Sequence, residues 1–213
     1  PHGQDIADIF TDRFEAGVRE VVFRENIEEV TEESTSRILG AIRETEPQAL
    51  YVATYQDRFA KLLQALEELD QRPVVLGTSA LTADVIEMAG PAAEGVVFPQ
   101  LFCVRCTDDP EINAFVESFR ERFGEDPDTY AAHAYDAVGV VAAAMEQSAV
   151  IRADELKGEL TRIEYEGVTG KIDFNVATHD VVKTPSVFAI VNGEVMRFGK
   201  FRDTELGKKL FSR

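Results

Sequence analysis

The densest reactive pair in the chain is Cys103-Val-Arg-Cys106. Two cysteines at this spacing can act as a dithiol, hold a metal or close on each other. A redox pair sits where a helix starts directly after a strand, but here Thr107-Asp108-Asp109-Pro110 intervenes before the next helical pattern. A zinc site needs two further ligands, and His2, His133 and His179 are scattered along the chain. The pair therefore reads as a local disulfide or as two ordinary thiols, and neither a metal nor a cofactor is expected. Ser79 follows an apolar run, as a hydrolase nucleophile can, but no Gly-x-Ser-x-Gly elbow surrounds it. Only His2 could share a loop environment with it. No Gly-rich loop is present to cradle a phosphate. No catalytic residue is assigned, and the chain is not expected to be an enzyme. Glu67-Glu68 reads as solvated helix surface, His133 as a core or groove residue and His179 as an exposed turn residue. What remains is a set at strand ends and helix starts: His2, Thr54, Tyr55, Thr78, Ser79 and Tyr130. Hydroxyls and aromatic faces of this kind hold a small solute by hydrogen bonds and stacking, without reaction.

These residues need strands and helices to position them. Residues 50–53 form a short, wholly apolar run, as a strand buried on both faces requires. Thr54-Tyr55-Gln56 is the turn after it. Phe59, Leu62, Leu63, Leu66 and Leu69 then recur every three or four residues, as on one face of a helix. The same unit repeats on both sides. Residues 4–16 read as a helix and 18–23 as a Val-rich strand. The acids and N-cap residues at 31–34 start a helix carrying Ile38, Leu39 and Ile42, which Pro47 closes. Residues 73–76 are a strand, 84–89 a short helix and 95–98 another strand. Strands alternating with helices through short connections predict a doubly wound α/β fold with a parallel sheet over about residues 1–98. In such sheets ligands bind outside the carboxyl ends of the strands.

Beyond Pro99 the rhythm changes. Helices are predicted at 110–123, 129–147 and 154–163, with no strand between them. A turn at 167–170 leads into an extended stretch at 171–174. Residues 187–191 and 194–198 flank Asn192-Gly193, a pair that favours the tight turn of a hairpin.

The 213 residues are 45% hydrophobic and 29% charged, with a net charge of −17. Nucleic acid is excluded as a partner, because phosphates need a basic surface. No apolar run reaches the ~20 residues of a membrane span. The chain opens on Pro-His-Gly without Met or a signal peptide and reads as the interior of something longer.

Four stretches, in order, resemble one family. Residues 126–138, Asp-Pro-Asp-Thr-Tyr-Ala-Ala-His-Ala-Tyr-Asp-Ala-Val, are similar to a Pro-x-x-Tyr segment followed by a helical Tyr-Asp-Ala. The opening His-Gly-Gln resembles a Tyr-Gly-x turn. Gly90-Pro-Ala-Ala-Glu-Gly95 and residues 165–174, Tyr-Glu-Gly-Val-Thr-Gly-Lys-Ile-Asp-Phe, match two further motifs. The family is the type I periplasmic binding proteins, and within it the leucine/isoleucine/valine-binding class of ABC-transporter receptors.

The resemblance implies the C-terminal part of a two-lobed receptor. Residues 1–98 would be α/β structure of the second lobe. Residues 99–183 would be helices of the first lobe, whose sheet is missing. Residues 184–213 would be a hairpin returning to the second lobe. It implies a small polar or amino-acid-like solute bound between two lobes, a membrane permease as partner and a periplasmic or extracellular location. His2, Tyr55 and Tyr130 fall on positions of aromatic contacts. Ser79 falls where amino-acid binders carry a carboxylate for the ligand's ammonium, so an α-amino acid is not implied. A ligand-sensing regulatory domain on the same fold is the alternative, and an enzyme on a doubly wound sheet a further one. The apolar faces of residues 110–163 predict a homo-oligomer or cover from the hairpin at 187–198.

Overall fold

In the computed structural model, residues 2–17, 19–181 and 183–211 are described. The chain divides into two compact units, Pro1–Pro99 with Val187–Arg213, and Gln100–Ser186.

The first unit opens with α1 (His2–Glu15), α2 (Glu32–Thr45), β1 (Ala49–Tyr51), α3 (Gln56–Ala65), β2 (Val74–Leu76), α4 (Ala83–Ala89) and β3 (Val97–Gln100). Helix α2 starts at a reciprocal cap. The Ser34 amide donates to Thr31 Oγ1, and the Thr31 amide donates to Ser34 Oγ. It ends on Glu46 in the left-handed region, one residue before Pro47. Strands β1, β2 and β3 run parallel, with Leu50 opposite Val75 and Leu76 opposite Val97.

The second unit contains α5 (Pro110–Phe123), α6 (Thr129–Gln147), α7 (Ala153–Leu160), β4 (Glu164–Gly167) and β5 (Gly170–Asp173). The chain then returns to the first unit through β6 (Ser186–Val191), β7 (Glu194–Arg197), α8 (Phe198–Phe201) and α9 (Glu205–Phe211). The five-stranded sheet has the order β1-β2-β3-β6-β7, and β4 and β5 form a separate antiparallel pair.

Successive side chains on a strand point to opposite faces. Val97 and Ala189 meet Phe201, Leu206 and Leu210 of the C-terminal helices. Phe98 and Phe188, one residue away on each strand, meet on the other face with ring centroids 6.2 Å apart. Phe59 of α3 reaches the same face. A Cβ on Gly77 would lie 3.0 Å from the Phe59 ring and 3.6 Å from Phe98. The sheet is thus covered by helices on both sides, as a doubly wound fold requires. Asn192 and Gly193 take φ of 53° and 74°, the mirror-image turn whose twist suits a hairpin.

One predicted strand is absent. Among the described residues of 18–23, none is in a strand; Val18 lies outside the described residues. β1 ends the sheet order, and no described strand offers residues 19–23 a ladder. A strand exists only through pairing, and β-rich composition does not supply the partner. Three elements went unread in sequence: β4, whose Glu-Tyr-Glu-Gly has no strand pattern, and the C-terminal helices α8 and α9.

In the second unit, Asp109 accepts from the amides of Glu111 and Ile112 to start α5, and Gly124 at φ 78° ends it. Asp128 accepts from the Ala131 amide to start α6. Phe102, Phe115, Val116, Ala132 and Val168 form one apolar cluster, and Val140, Ala144, Ile163 and Ile172 another. Phe123, Val138, Val141 and Met145 remain exposed. Cys103 and Cys106 form a disulfide in the loop before α5.

Candidate functional site

Parallel pairing of β1 and β2 brings their carboxyl ends to the same edge of the first unit's sheet. Thr54 and Tyr55 follow β1, and Thr78 and Ser79 follow β2. The two loops are tied together: Gln56 Nε2 donates to Thr82 Oγ1 at 3.2 Å. The start of α1 reaches the same place. A Cβ on Gly3 would stand 2.7 Å from the Ala53 carbonyl oxygen, so only glycine permits that approach. Four of the six predicted site residues therefore share one edge, and the backbone of His2 begins the helix that abuts it. The His2 side chain lies outside the described residues. Tyr130, the second residue of α6, belongs to the other unit.

The edge is polar and open. Tyr55 is the N-cap residue of α3 but makes no side-chain cap bond, and it is 61% exposed. Phe59, Val75 and Leu81 of the adjoining elements are buried. Thr78 Oγ1 accepts from the Ala80 amide at 3.3 Å, which shapes the turn presenting Ser79. Behind the edge, Phe10 of α1 stacks on Tyr51 with centroids 4.1 Å apart, and burial raises the pKa of the Tyr51 hydroxyl. Tyr51 is thus held by packing, whereas Tyr55, four residues on, is left to the loop. None of the six candidates is a carboxylate or an obligate cation.

In the second unit Tyr130 is also 61% exposed. His133 is partly buried, and its Nδ1 donates to the Thr129 carbonyl at 2.6 Å, so it is satisfied within α6. His179 is exposed at φ 61° in a turn closed by the Asn175 side chain. Sequence reading did not find the groove of about 620 Å³ floored by Phe115, Phe119, Tyr135 and Tyr165. Its walls come from α5, α6 and β4, and β4 had no strand signal. Among the described residues, no group of three or more His, Cys, Asp or Glu could hold a metal, and no helix is long and apolar enough to cross a membrane.

Hydroxyls and one exposed aromatic ring on two tied loops at a sheet edge are the groups that hold a small polar solute by hydrogen bonds and stacking. Comparison with known families decides the setting. The model for periplasmic binding proteins matches residues 1–194. The chain belongs to this family. Among curated proteins, none matches it.

Solved structures similar to this periplasmic binding protein include several described as branched-chain amino acid transporters or their binding proteins. A Rhodospirillum rubrum protein, provisionally assigned as a branched-chain amino acid ABC transporter, is 29% identical with a TM-score of 0.79 over 90% of this chain and 56% of its own. LivJ of Streptococcus pneumoniae, solved with isoleucine, is 26% identical with a TM-score of 0.63 over 73% of this chain and 46% of its own. A solute-binding protein from R. palustris, solved with benzoate, shares the fold at 20% identity and a TM-score of 0.75, over 91% of this chain and 54% of its own. The chain thus spans about half the length of the structures it resembles.

Proposed function

We propose that this chain is the C-terminal part of an extracytoplasmic receptor that binds a small solute and delivers it to an ABC permease in the membrane. The observation that carries the reading is the convergence of Thr54, Tyr55, Thr78 and Ser79 at one sheet edge, within a chain of this family. Tyr55 would stack on or hydrogen-bond the solute, and the hydroxyls of Thr54, Thr78 and Ser79 would fix its polar end. His2 and Tyr130 enter as contacts from the resemblance alone. The rest of a two-lobed receptor would close over the solute and exclude water. The exposed side of α6 would pack against that remainder in the whole protein.

The related structures take an amino acid in one case and an aromatic acid in another. Ser79 bears on the choice. A solute ammonium buried at this edge would find hydroxyls and no carboxylate among the six contacts, and an uncompensated buried charge is strongly unfavourable. The site therefore fits a small polar solute without an α-ammonium better than leucine or isoleucine. Native mass spectrometry of the full receptor with its copurified solute tests the reading. Loss of the bound mass in Tyr55→Ala and Ser79→Ala supports it. Unchanged occupancy in both variants would overturn the site.

A further inference from the structure

The second unit contains a buried polar cluster that the proposed binding site does not use. Asp136 is 1% exposed, on the face of α6 that also buries Ala132, Val140 and Ala144. Its Oδ1 accepts from the Val168 amide at 2.8 Å, and its Oδ2 accepts from the Thr169 amide at 2.9 Å and from the Thr169 hydroxyl. The turn between β4 and β5 is folded around this carboxylate. A Cβ on Gly167 would lie 2.5 Å from three of its atoms, which is why the turn begins with glycine.

Lys183 completes the cluster. Its Nζ donates to Thr169 Oγ1, lies 3.5 Å from the Thr169 carbonyl oxygen and is 3.9 Å from Asp136 Oδ2. The Lys183 side chain is 11% exposed, although it sits in a long surface segment. Among the described residues of 175–187, every other one is exposed. This is the segment by which the chain leaves the second unit, which ends at Ser186. The other crossing is anchored comparably. Gln100, the first residue of the unit, is buried, and its Oε1 accepts from the Thr129 hydroxyl and the Leu101 amide, both at 3.1 Å. Thr129 and Asp136 are two turns apart on α6, so one helix holds both points where the chain crosses.

We propose that Asp136, Thr169 and Lys183 form a latch that fastens the returning segment to α6, with Lys183 as its positioning residue, so that bending of this connection is confined to Thr184 and Pro185, between the latch and β6. The assignment does not rest on the identity of the solute or on the binding edge. It separates two jobs within one cluster. Asp136 keeps three donors from the β4–β5 turn whether or not Lys183 is present, so the turn stands alone. Val181, two residues before Lys183, bridges back to Phe174, so the latch acts on the stretch that leads from there into β6.

Lys183→Met keeps the apolar stem and removes the ammonium, and Thr169→Val removes the bridging hydroxyl. Backbone amide dynamics of the 213-residue chain by NMR read the outcome. In the native chain the amide at position 183 should show an order parameter near the rigid value of about 0.85 with Thr184 below it, and in Lys183→Met the amide at position 183 should fall below about 0.6. The Val168 and Thr169 amides should keep their exchange protection in Lys183→Met. In Thr169→Val the segment should loosen to the same degree, because Lys183 loses its nearest acceptor. An unchanged order parameter at position 183 in Lys183→Met would overturn the latch. Equal loss of protection at Val168 and Thr169 in that variant would overturn it too, by showing a general folding element rather than a fastening.

Discussion

Phe59, Phe98 and Phe188 in the first unit and Val138, Val141 and Met145 in the second are all apolar residues on regular elements, yet only the first three are buried. In the first unit the sheet is covered on both sides by its own helices, so a residue's place in the pattern predicts its burial. In the second, α6 is apolar around most of its circumference, which is the pattern of a helix surrounded by protein. Its inner face is used by Ala132, Val140 and Ala144, whereas Val138 on the outer side is 71% exposed. Asp136, the one buried acid among the described residues, is on the inner side. Burial in the second unit is thus set by which partners its own elements provide, and a polar cluster around Asp136 is buried there beside the apolar ones.

Removing the Asp136 carboxylate should give the largest effect. Asp136→Ala leaves two buried amides and a hydroxyl without their acceptor and the Lys183 ammonium without its counter-charge, and such losses cost about 3–5 kcal/mol. Urea titration followed by NMR should show the second unit unfolding first, with the β6–β7 hairpin signals intact. Simultaneous loss of both units would mean that they are not independent in stability. Phe59→Ala should cost a similar ~3–5 kcal/mol from the first unit. In the same assay Val138→Ala should stay within about 0.5 kcal/mol, as surface changes do. If Val138→Ala destabilises the chain as much as Phe59→Ala, the contrast between the two units fails.

Smaller effects sharpen the first unit's side. Gly193 turns the hairpin at φ 74°, and its amide donates to Glu94 Oε1 at 2.7 Å. Gly193→Val should cost about 1–2 kcal/mol, the penalty of placing a side chain in that conformation. Thr31→Ala should cost about 1 kcal/mol through loss of the α2 cap. Each is read as a shift in midpoint at constant slope in denaturant.

Much of this architecture was legible, for local reasons. Helices α5 and α6 match residues 110–123 and 129–147 because both ends are written into the chain: Asp109-Pro110 and Gly124, then Asp128 and the break at Ser148. The hairpin followed from Asn192-Gly193. Residues 18–23 misled because β-branched composition describes a pleated, half-buried surface and says nothing about a neighbour. The C-terminal helices were missed because α8 is only four residues long and α9 seven. At the candidate site, the grouping of Tyr55 with Ser79 was legible from strand ends and parallel pairing. The role of Asp136 was not. An acid on an Ala-rich helix carries no sign that a turn some thirty residues later will close around it, although Gly167-Val-Thr-Gly170 is that turn.

The smallest expected effect concerns the loop between α5 and α6. A hydrogen bond from Arg120 holds the Asp126 carboxyl below the ordinary carboxylate range, with the charges of Arg120 and then Arg105 adding to it. A depressed native pKa stabilises the fold above the unfolded value and is lost as the pH falls through the native one. The pair is largely exposed, so its weight is small. NMR titration should place the Asp126 midpoint below that of an unperturbed aspartate, and Arg120→Gln should raise it. An unmoved midpoint would show that the pair does not form.

The most direct test of the binding edge is a crystal structure of the full receptor with its copurified solute. The account predicts the solute against the Tyr55 ring, with a polar atom within hydrogen-bond distance of Ser79 Oγ. A solute seated in the Phe115–Phe119–Tyr135 groove, with Tyr55 and Ser79 still in solvent, would contradict it.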